Sequence, residues 1–173
     1  VRYSEGLYKN TFIGRTFIMP GQAERKKSVK YKLVPQELEI RDKKVMIMDD
    51  SIVRGKTSRE IVRMLKDFGA KEVYFSVACP PVKSPCFHGV DMPTKSELIA
   101  GNMNEDEIEN YLEVDALLYQ KIDDLVEAVT RKGDHHIDMP CKACLDGNYI
   151  ANDIDDAKIT QMEAMRVNDR NGK

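Results

Sequence analysis

The sequence lacks any long hydrophobic run and any clear excess of charge of one sign. No apolar stretch approaches the ~20 residues that a membrane-spanning helix needs, and the N-terminus shows no signal-peptide pattern. Lysine and arginine number 27 against 29 aspartates and glutamates, so the formal net charge is −2. This near-balance argues against a general nucleic-acid binder. We therefore expect a cytoplasmic protein with neither a membrane nor a nucleic acid as its partner.

The chain has 173 residues, about the length of one domain, and 42% of them are hydrophobic, which is enough to form a core. It contains no internal repeat and no low-complexity segment. It begins with Val1 instead of methionine, and "VRYSEGLYKN" starts in the middle of a pattern. We expect this chain to be a fragment of a longer protein.

Short apolar runs alternate with helical patterns along most of the chain. The predicted strands are 45–48, 73–78 and 115–119, and the predicted helices are 57–68, 94–100, 104–112 and 121–131. Strands that alternate with helices indicate an α/β fold with a parallel sheet flanked by helices.

The ends of the chain have weaker patterns. Residues 11–34 are basic, contain Pro20-Gly21 and are typical of a mobile loop. Beyond Gly133 the pattern fades. We therefore predict a main domain at 1–132, a cysteine-containing segment at 133–151 and a polar tail at 152–173, either a helix or disordered.

Two adjacent acids follow the first predicted strand in "VMIMDDSIVRG". Asp49 and Asp50 would lie at the carboxyl edge of the sheet, where open α/β folds bind ligands. The backbone N–H groups of 51–57 and the next helix N-terminus favour a phosphate, and Gly55 permits close approach. Carboxylates can accept hydrogen bonds from vicinal sugar hydroxyls or help to hold Mg²⁺. A ribose 5-phosphate fits both halves of this motif, and the alternative is a solvated turn before a capped helix.

The whole string, from the four apolar residues through Asp-Asp-Ser to Arg-Gly and Thr57, resembles the phosphoribosyl-pyrophosphate signature of type I phosphoribosyltransferases. Together with "GRTFIMPGQAERKKSV" and "CFHGVDMPTKSELIA", it resembles the glutamine phosphoribosylpyrophosphate amidotransferases over about residues 1–151. The resemblance implies a type I phosphoribosyltransferase fold, incomplete at its N-terminus, with an irregular cysteine-containing C-terminal segment.

The resemblance also implies a transferase of the glycosyltransferase class. Such an enzyme transfers glutamine-derived ammonia to 5-phosphoribosyl 1-diphosphate (PRPP) and produces 5-phosphoribosylamine and pyrophosphate. This is the first committed step of purine biosynthesis. The glutaminase domain, which uses an N-terminal cysteine as nucleophile, would be missing from this chain. Purine nucleotide inhibitors and a homo-oligomer are further implications.

The same resemblance assigns substrate binding to the segment that begins at Asp49. The implied residues are Asp49, Asp50, Ser51, Ile52, Val53, Arg54, Gly55, Lys56 and Thr57. Asp49 and Asp50 would hold the ribose hydroxyls and Mg²⁺. A third Mg²⁺ contact of the family, a serine in a Pro-Asp-Ser stretch, is absent from this chain. Lys56 departs from the family, where a threonine or similar small polar residue is usual, which puts the role of position 56 in question.

The segment 15–29 matches the flexible lid loop of the family. The lid residues implied here are Arg15, Phe17, Ile18, Lys26 and Lys27. Phe17 and Ile18 would line an ammonia channel, and the basic residues, with Arg25, would meet the charged leaving group. A closing lid makes chemical sense because water would capture the oxocarbenium-like carbon that pyrophosphate leaves behind. The alternative is a disordered basic surface loop.

The chain has four cysteines: Cys79, Cys86, Cys141 and Cys144. The Cys-x-x-Cys pair does not follow a strand and open a helix, so a thioredoxin-like redox role is a poor fit. In one branch of the family, cysteines that match Cys86, Cys141 and Cys144 bind a structural [4Fe–4S] cluster whose fourth ligand lies upstream. Zinc and free buried thiols are the alternatives. We expect Cys79 to be a core residue, and we expect three histidines in surface or loop positions: His88, His135 and His136.

Two other functions share this fold. A regulator would bind PRPP or a nucleotide without catalysing a reaction, and it would need no lid loop. The presence of "RTFIMPGQ" therefore favours the enzyme. A phosphoribosyltransferase acting on a nucleobase would need a hood that grips the base, and the three cysteines have no place in it.

Overall fold

The structure is a computed structural model, and it describes residues 2–10, 33–130, 137, 139–150, 154 and 156–171. The strands in this part of the chain are β1 (Leu7–Lys9), β2 (Leu33–Pro35), β3 (Lys44–Asp49), β4 (Glu72–Val77) and β5 (Ala116–Tyr119). The helices are α1 (Glu37–Ile40), α2 (Lys56–Asp67), α3 (Ile99–Asn102), α4 (Glu105–Leu112), α5 (Ile122–Thr130), α6 (Ala143–Asp146) and α7 (Asp156–Asn171), and a 3₁₀ turn covers Lys95–Glu97. No helix within these ranges is both long and apolar enough to cross a membrane.

The strands form two sheets. β1 and β2 pair antiparallel, with Leu7 opposite Pro35. The second sheet has the order β3-β4-β5. Hydrogen bonds join Lys71 to Lys43 before β3 and β4 begin, and Ala78 to Asp49 where they end. Because both strands advance in the same direction between these bonds, the pair is parallel. The predicted parallel sheet flanked by helices is therefore confirmed.

The boundaries of the predicted elements lie within one residue of the observed ones, except in the region 94–100, and the short elements β1, β2, α1 and α6 were not predicted. The sequence predicts one helix over 94–100, whereas the structure has a 3₁₀ turn, an extended Leu98 (φ −76°, ψ 121°) and then α3. Thr94 and Glu97 form a reciprocal capping box around the single turn. Leu98 is fully buried, and its extended backbone separates the two turns. The mobile loop predicted at 11–34 is wrong at its end, since Leu33 and Val34 pair in β2.

The chain divides into two compact units. The first comprises Val1–Met48, Gly55–Ser76 and Asp106–Leu118, and the second comprises Asp49–Arg54, Val77–Glu105 and Tyr119–Lys173. Both predicted boundaries, at 132 and 151, lie within the Tyr119–Lys173 part of the second unit. The division does not test them, and they remain predictions.

The core of the first unit is built from α2, α4 and the first part of β4. Its fully buried side chains include Val62, Leu65, Phe75, Ile108 and Leu112. Val62 and Leu65 of α2 are buried, whereas Ile61 and the nearby Phe68 are only partly buried. Alternation along β4 buries every second residue and leaves the others half-buried.

The second unit has a smaller core, and Cys144 and Leu145 pack in or against it. Val82, Leu98 and Leu145 form this core. The carbonyl of Cys144 accepts hydrogen bonds from the backbone N–H groups of Lys83 (2.9 Å) and Ser84 (3.0 Å). Backbone bonds of this kind hold residues 143–145 against residues 82–84.

An arginine pair in the first unit joins α2 to the end of α4. Nη2 of Arg59 lies 2.7 Å, and Nη2 of Arg63 lies 2.9 Å, from Oε1 of Glu113. The Arg59 guanidinium also stacks 4.6 Å above the Tyr111 ring. These hydrogen bonds, from Arg59 first and then from Arg63, lower the pKa of Glu113 to about 2.

The depressed pKa makes a prediction about acid stability. A carboxyl group whose pKa is lowered on folding stabilises the fold above its unfolded pKa, near 4.5, and loses that effect as the pH falls toward about 2. We expect Glu113→Gln to lower the urea midpoint at pH 7, and we expect its difference from wild type to shrink steadily below about pH 5. A difference that stays constant from pH 6 to pH 3 would contradict the depressed pKa.

Truncating a side chain on the buried face of the sheet should destabilise the protein much more than truncating one on the exposed face. Phe75 is 0% exposed, whereas Met48 is 77% exposed. Replacing Phe75 by alanine should lower the free energy of unfolding by about 3–5 kcal/mol, because the core cannot fill the cavity. Met48→Ala is the matched control and should change it by less than about 0.5 kcal/mol. Urea unfolding of both variants tests this, and equal losses would refute the assigned faces.

Candidate functional site

The two adjacent acids lie where β3 ends, as the sequence predicted. Asp49 is the last residue of β3, and its Oδ1 accepts a hydrogen bond from the Asp50 N–H at 3.0 Å. Ser51 Oγ donates to Asp50 Oδ1 at 3.1 Å. Asp49 is half-buried and Asp50 is exposed. The Asp50 carboxylate is thus oriented by its neighbour while it faces solvent, as a group that receives a ligand must.

In the second unit, the ends of the neighbouring strands lie beside the acids. The Ala78 N–H donates to the Asp49 carbonyl (3.0 Å), and the Cys79 N–H donates to the Asp50 carbonyl (2.9 Å). Gln120 donates to the Val77 carbonyl at 3.0 Å, so the residues after β5 lie at the same edge. The carboxyl ends of the strands therefore meet, which is where α/β folds bind ligands.

Two further groups at this edge, Cys79 and Tyr119, were not predicted from the sequence to lie in the site. Burial raises the pKa of the Cys79 thiol, and the charge of Asp50 raises it further. The Tyr119 hydroxyl is buried without a hydrogen-bond partner among the described residues. Burial, with smaller effects from Glu105 and Cys79, raises its pKa. Tyr119 is the last residue of the predicted strand 115–119, and this position could have identified it as a residue of the site.

The loop that follows the two acids is anchored by a buried side chain and by contacts to residues 97–99. Ile52 is 2% exposed, and the Val53 carbonyl accepts a hydrogen bond from Ile99 at 2.9 Å. Arg54 Nε and Nη2 lie 3.1 and 3.0 Å from Oε1 of Glu97. The Arg54 side chain therefore lies against Glu97.

The chain then passes directly into the start of α2. Gly55 precedes the helix with φ +70°, a left-handed conformation that strains any residue with a β-carbon. No side chain caps this helix N-terminus, and the first N–H groups of a helix have no partner within it. Lys56 and Thr57 are exposed. Free N–H groups and an exposed lysine suit an anionic ligand.

The predicted lid residues lie outside the described part of the chain. This applies to all five of them: Arg15, Phe17, Ile18, Lys26 and Lys27. His135 and His136 also lie outside it, whereas His88 is described and is exposed, as expected.

The four cysteines all lie in the described part of the chain, and none of them forms a disulfide. Burial raises the pKa of Cys144 most, followed by the charges of Cys86, Cys79 and Cys141. The structure thus brings the three predicted ligands into electrostatic reach of one another. Within the described ranges, however, no three histidine, cysteine or acidic residues have an arrangement that could hold a metal ion.

Cys79 and Cys144 also pack against the core of the second unit. Cys79 was predicted to be a core residue, but it is only half-buried and lies against the core.

Comparison with known proteins identifies amidophosphoribosyltransferases among the relatives of this chain. No family model matches the chain. The amidophosphoribosyltransferases of Methanothermobacter thermautotrophicus and Pseudomonas aeruginosa are 46% and 47% identical over 96% of this chain. The Escherichia coli protein of the same name is 41% identical over 96% of it. The chain spans only 33–34% of these relatives.

The solved structures that are similar to this fold include two with TM-scores above 0.7. One is the glutamine phosphoribosylpyrophosphate amidotransferase of B. subtilis complexed with ADP and GMP, with a TM-score of 0.72, 41% identity and coverage of 87% of this chain and 33% of that one. The other is described as the allosteric regulatory enzyme of purine biosynthesis, with a TM-score of 0.76, 39% identity and coverage of 94% and 35%.

Sequence and structure thus agree with the resemblance first drawn from the three motifs. Over nearly its whole length, this chain is related to amidophosphoribosyltransferases, matching about a third of each, and it has the type I phosphoribosyltransferase fold.

Proposed function

We propose that this chain is the phosphoribosyltransferase part of an enzyme that makes 5-phosphoribosylamine and pyrophosphate from PRPP and glutamine-derived ammonia. The observation that carries the proposal is the acidic pair at the carboxyl edge of the parallel sheet, followed by a loop and an uncapped helix start. The relatives, which all bear the name of this activity, support it.

The described residues supply groups for both ends of a ribose 5-phosphate. The exposed Asp50 carboxylate and its neighbour Asp49 accept hydrogen bonds from the two ribose hydroxyls. The N–H groups of residues 51–57 donate to the 5-phosphate, and Gly55 leaves room for it because it has no side chain. Lys56 adds positive charge beside the phosphate.

Mg²⁺ fits the acidic pair. Magnesium binds carboxylate oxygens, keeps several waters and shares substrate phosphates, so one or two carboxylates are enough. Asp49 and Asp50 would hold it, and the bound ion would neutralise charge on the pyrophosphate. The orientation of Asp50 by Ser51 (3.1 Å) keeps one carboxylate oxygen turned toward the loop.

The reaction needs positioning more than a protein nucleophile. A bond forms between the ammonia nitrogen and the anomeric carbon, the bond from that carbon to pyrophosphate breaks, and the nitrogen loses a proton. Arg15, Phe17, Ile18, Lys26 and Lys27 would close over the substrate and exclude water, and the basic members would stabilise the leaving group.

Ammonia would come from a glutaminase domain outside this chain. Purine nucleotides would act as inhibitors, and the name of the B. subtilis structure, a complex with ADP and GMP, supports nucleotide binding in the family. The enzyme would be a cytoplasmic homo-oligomer.

The acidic pair gives the first test. In the full-length polypeptide, Asp50→Asn should lower ammonia-dependent kcat/KM for PRPP by at least about 100-fold, since it removes a charged contact to the reacting ribose. Asp123→Asn, an exposed aspartate on α5, is the matched control and should leave it unchanged. Unchanged activity in Asp50→Asn would overturn the assignment of the pair.

We also propose that Cys86, Cys141 and Cys144 hold a [4Fe–4S] cluster together with a fourth ligand outside this chain. Thiolates in this number suit iron–sulfur clusters, and the effect of Cys86 and Cys141 on the pKa of Cys144 supports the grouping. Such a cluster would link residues 141–144 to residue 86 and would have a structural role.

Metal analysis tests the cluster. Full-length polypeptide purified without oxygen should contain iron and acid-labile sulfide and absorb visible light broadly, and Cys141→Ser should lose all three. Cys79→Ser should retain them, because Cys79 packs against the core and is not a proposed ligand. Zinc in place of iron would favour the zinc alternative, and the absence of both metals would leave free thiols.

A further inference from the structure

Glu97 is held in one orientation by both of its carboxylate oxygens. Oε2 accepts hydrogen bonds from the Thr94 N–H at 3.2 Å and from Thr94 Oγ1 at 3.1 Å. Oε1 faces Arg54, whose Nε and Nη2 lie 3.1 and 3.0 Å away. Thr94 is 5% exposed. The carboxylate thus joins a buried threonine on one side to the proposed substrate loop on the other.

The turn that carries Glu97 is itself well supported. Asn102 Nδ2 donates to the carbonyls of Leu98 (2.7 Å) and Lys95 (3.0 Å). A β-carbon on Gly101 would come within 3.0 Å of the Lys83 carbonyl oxygen. The backbone around the turn is closely packed, so the position of the Glu97 backbone is fixed.

Residues 97–99 contact the substrate loop, residues 51–54, at a second point. The Ile99 N–H donates to the Val53 carbonyl at 2.9 Å. Two consecutive loop residues, Val53 through its backbone and Arg54 through its side chain, are therefore attached to residues 97–99. Ile52, beside them, is buried.

We propose that Glu97 is a positioning residue for the ribose-phosphate loop, and this proposal rests on the proposed function. By holding Arg54 it keeps the N–H groups of Ser51–Arg54 in the conformation that receives the phosphate of the substrate. Preorganised donors bind an anion more tightly because the loop loses less freedom on binding. Glu97 acts through Arg54 and does not touch the substrate.

The ion pair is too exposed for its main effect to be on overall stability. The side chains of Arg54 and Glu97 are 44% and 35% exposed, and pairs of this kind contribute about 0–1 kcal/mol. A role in positioning therefore predicts a change in substrate binding with little change in the unfolding midpoint.

A capping role for Glu97 has to be separated from this one. Glutamine serves at the same position of a capping box, so Glu97→Gln preserves the acceptor for Thr94 and removes the charge that faces Arg54. Glu39→Gln is the matched control. Glu39 pairs with Lys43 at 3.3 Å and has a similar side-chain exposure of 30%, and it lies outside the proposed site.

The experiment is a double-mutant cycle in the full-length polypeptide, measured as ammonia-dependent release of pyrophosphate. We expect Glu97→Gln to raise KM for PRPP about 3- to 10-fold with kcat within about twofold, and Glu39→Gln to change neither. In an Arg54→Met background, Glu97→Gln should raise KM no further. An unchanged KM in Glu97→Gln overturns the proposal, and so does the same increase in the Arg54→Met background.

Hydrogen exchange without substrate separates this proposal from the proposed function. We expect the amides of Ser51–Arg54 to exchange faster in Glu97→Gln, while those of Leu98 and Ile99 stay as protected as in wild type. Faster exchange combined with no PRPP-dependent activity in the wild type would overturn the proposed function, and with it the substrate role of Glu97. Normal activity with unchanged exchange and KM in Glu97→Gln would overturn the positioning role alone.

Discussion

The hydrogen bonds that extend the parallel sheet past the ends of its strands control where the chemistry of this chain can lie. The N–H groups of Ala78 and Cys79 donate to the carbonyls of Asp49 and Asp50. These bonds fix the backbone of both acids at the edge of the sheet. A parallel sheet needs a crossover after every strand, and each crossover begins at the same edge. Side chains from distant parts of the sequence, such as Asp50 and Tyr119, are placed there because of this geometry.

Charged pairs stabilise the places where the backbone changes direction. Glu113, with φ +63°, accepts from two arginines of α2, and this contact fixes the turn that follows α4. Glu97 does the same for the turn at 95–97, with Thr94 on one side and Arg54 on the other. Both acids join segments more than 40 residues apart, so each pair orders a turn that its local sequence would leave loose.

The local pattern of the chain predicted the sheet well and the intervening turns poorly. The strands at 45–48 and 73–78 and the helix at 57–68 were predicted to within one residue, because each has a clear apolar pattern. Gly69 marks the end of the helix, and Pro80-Pro81 follows the second strand. The helix expected at 94–100 was wrong. Its residues have helical propensity, but burial of Leu98 in the core of the second unit favours an extended backbone there. Tertiary packing outweighs propensity in such short segments.

The site shows the same division. The sequence by itself determined which groups are available: the Asp49–Asp50 pair, the glycine before α2 and the cysteines, since their chemistry and spacing are local properties. Only the tertiary structure decided that Arg54 lies on Glu97, that Cys86 lies near Cys144, and that the Tyr119 hydroxyl is buried beside Cys79. These contacts join residues far apart in the chain, and their geometry depends on how the strands pair and the cores pack, which no local pattern contains.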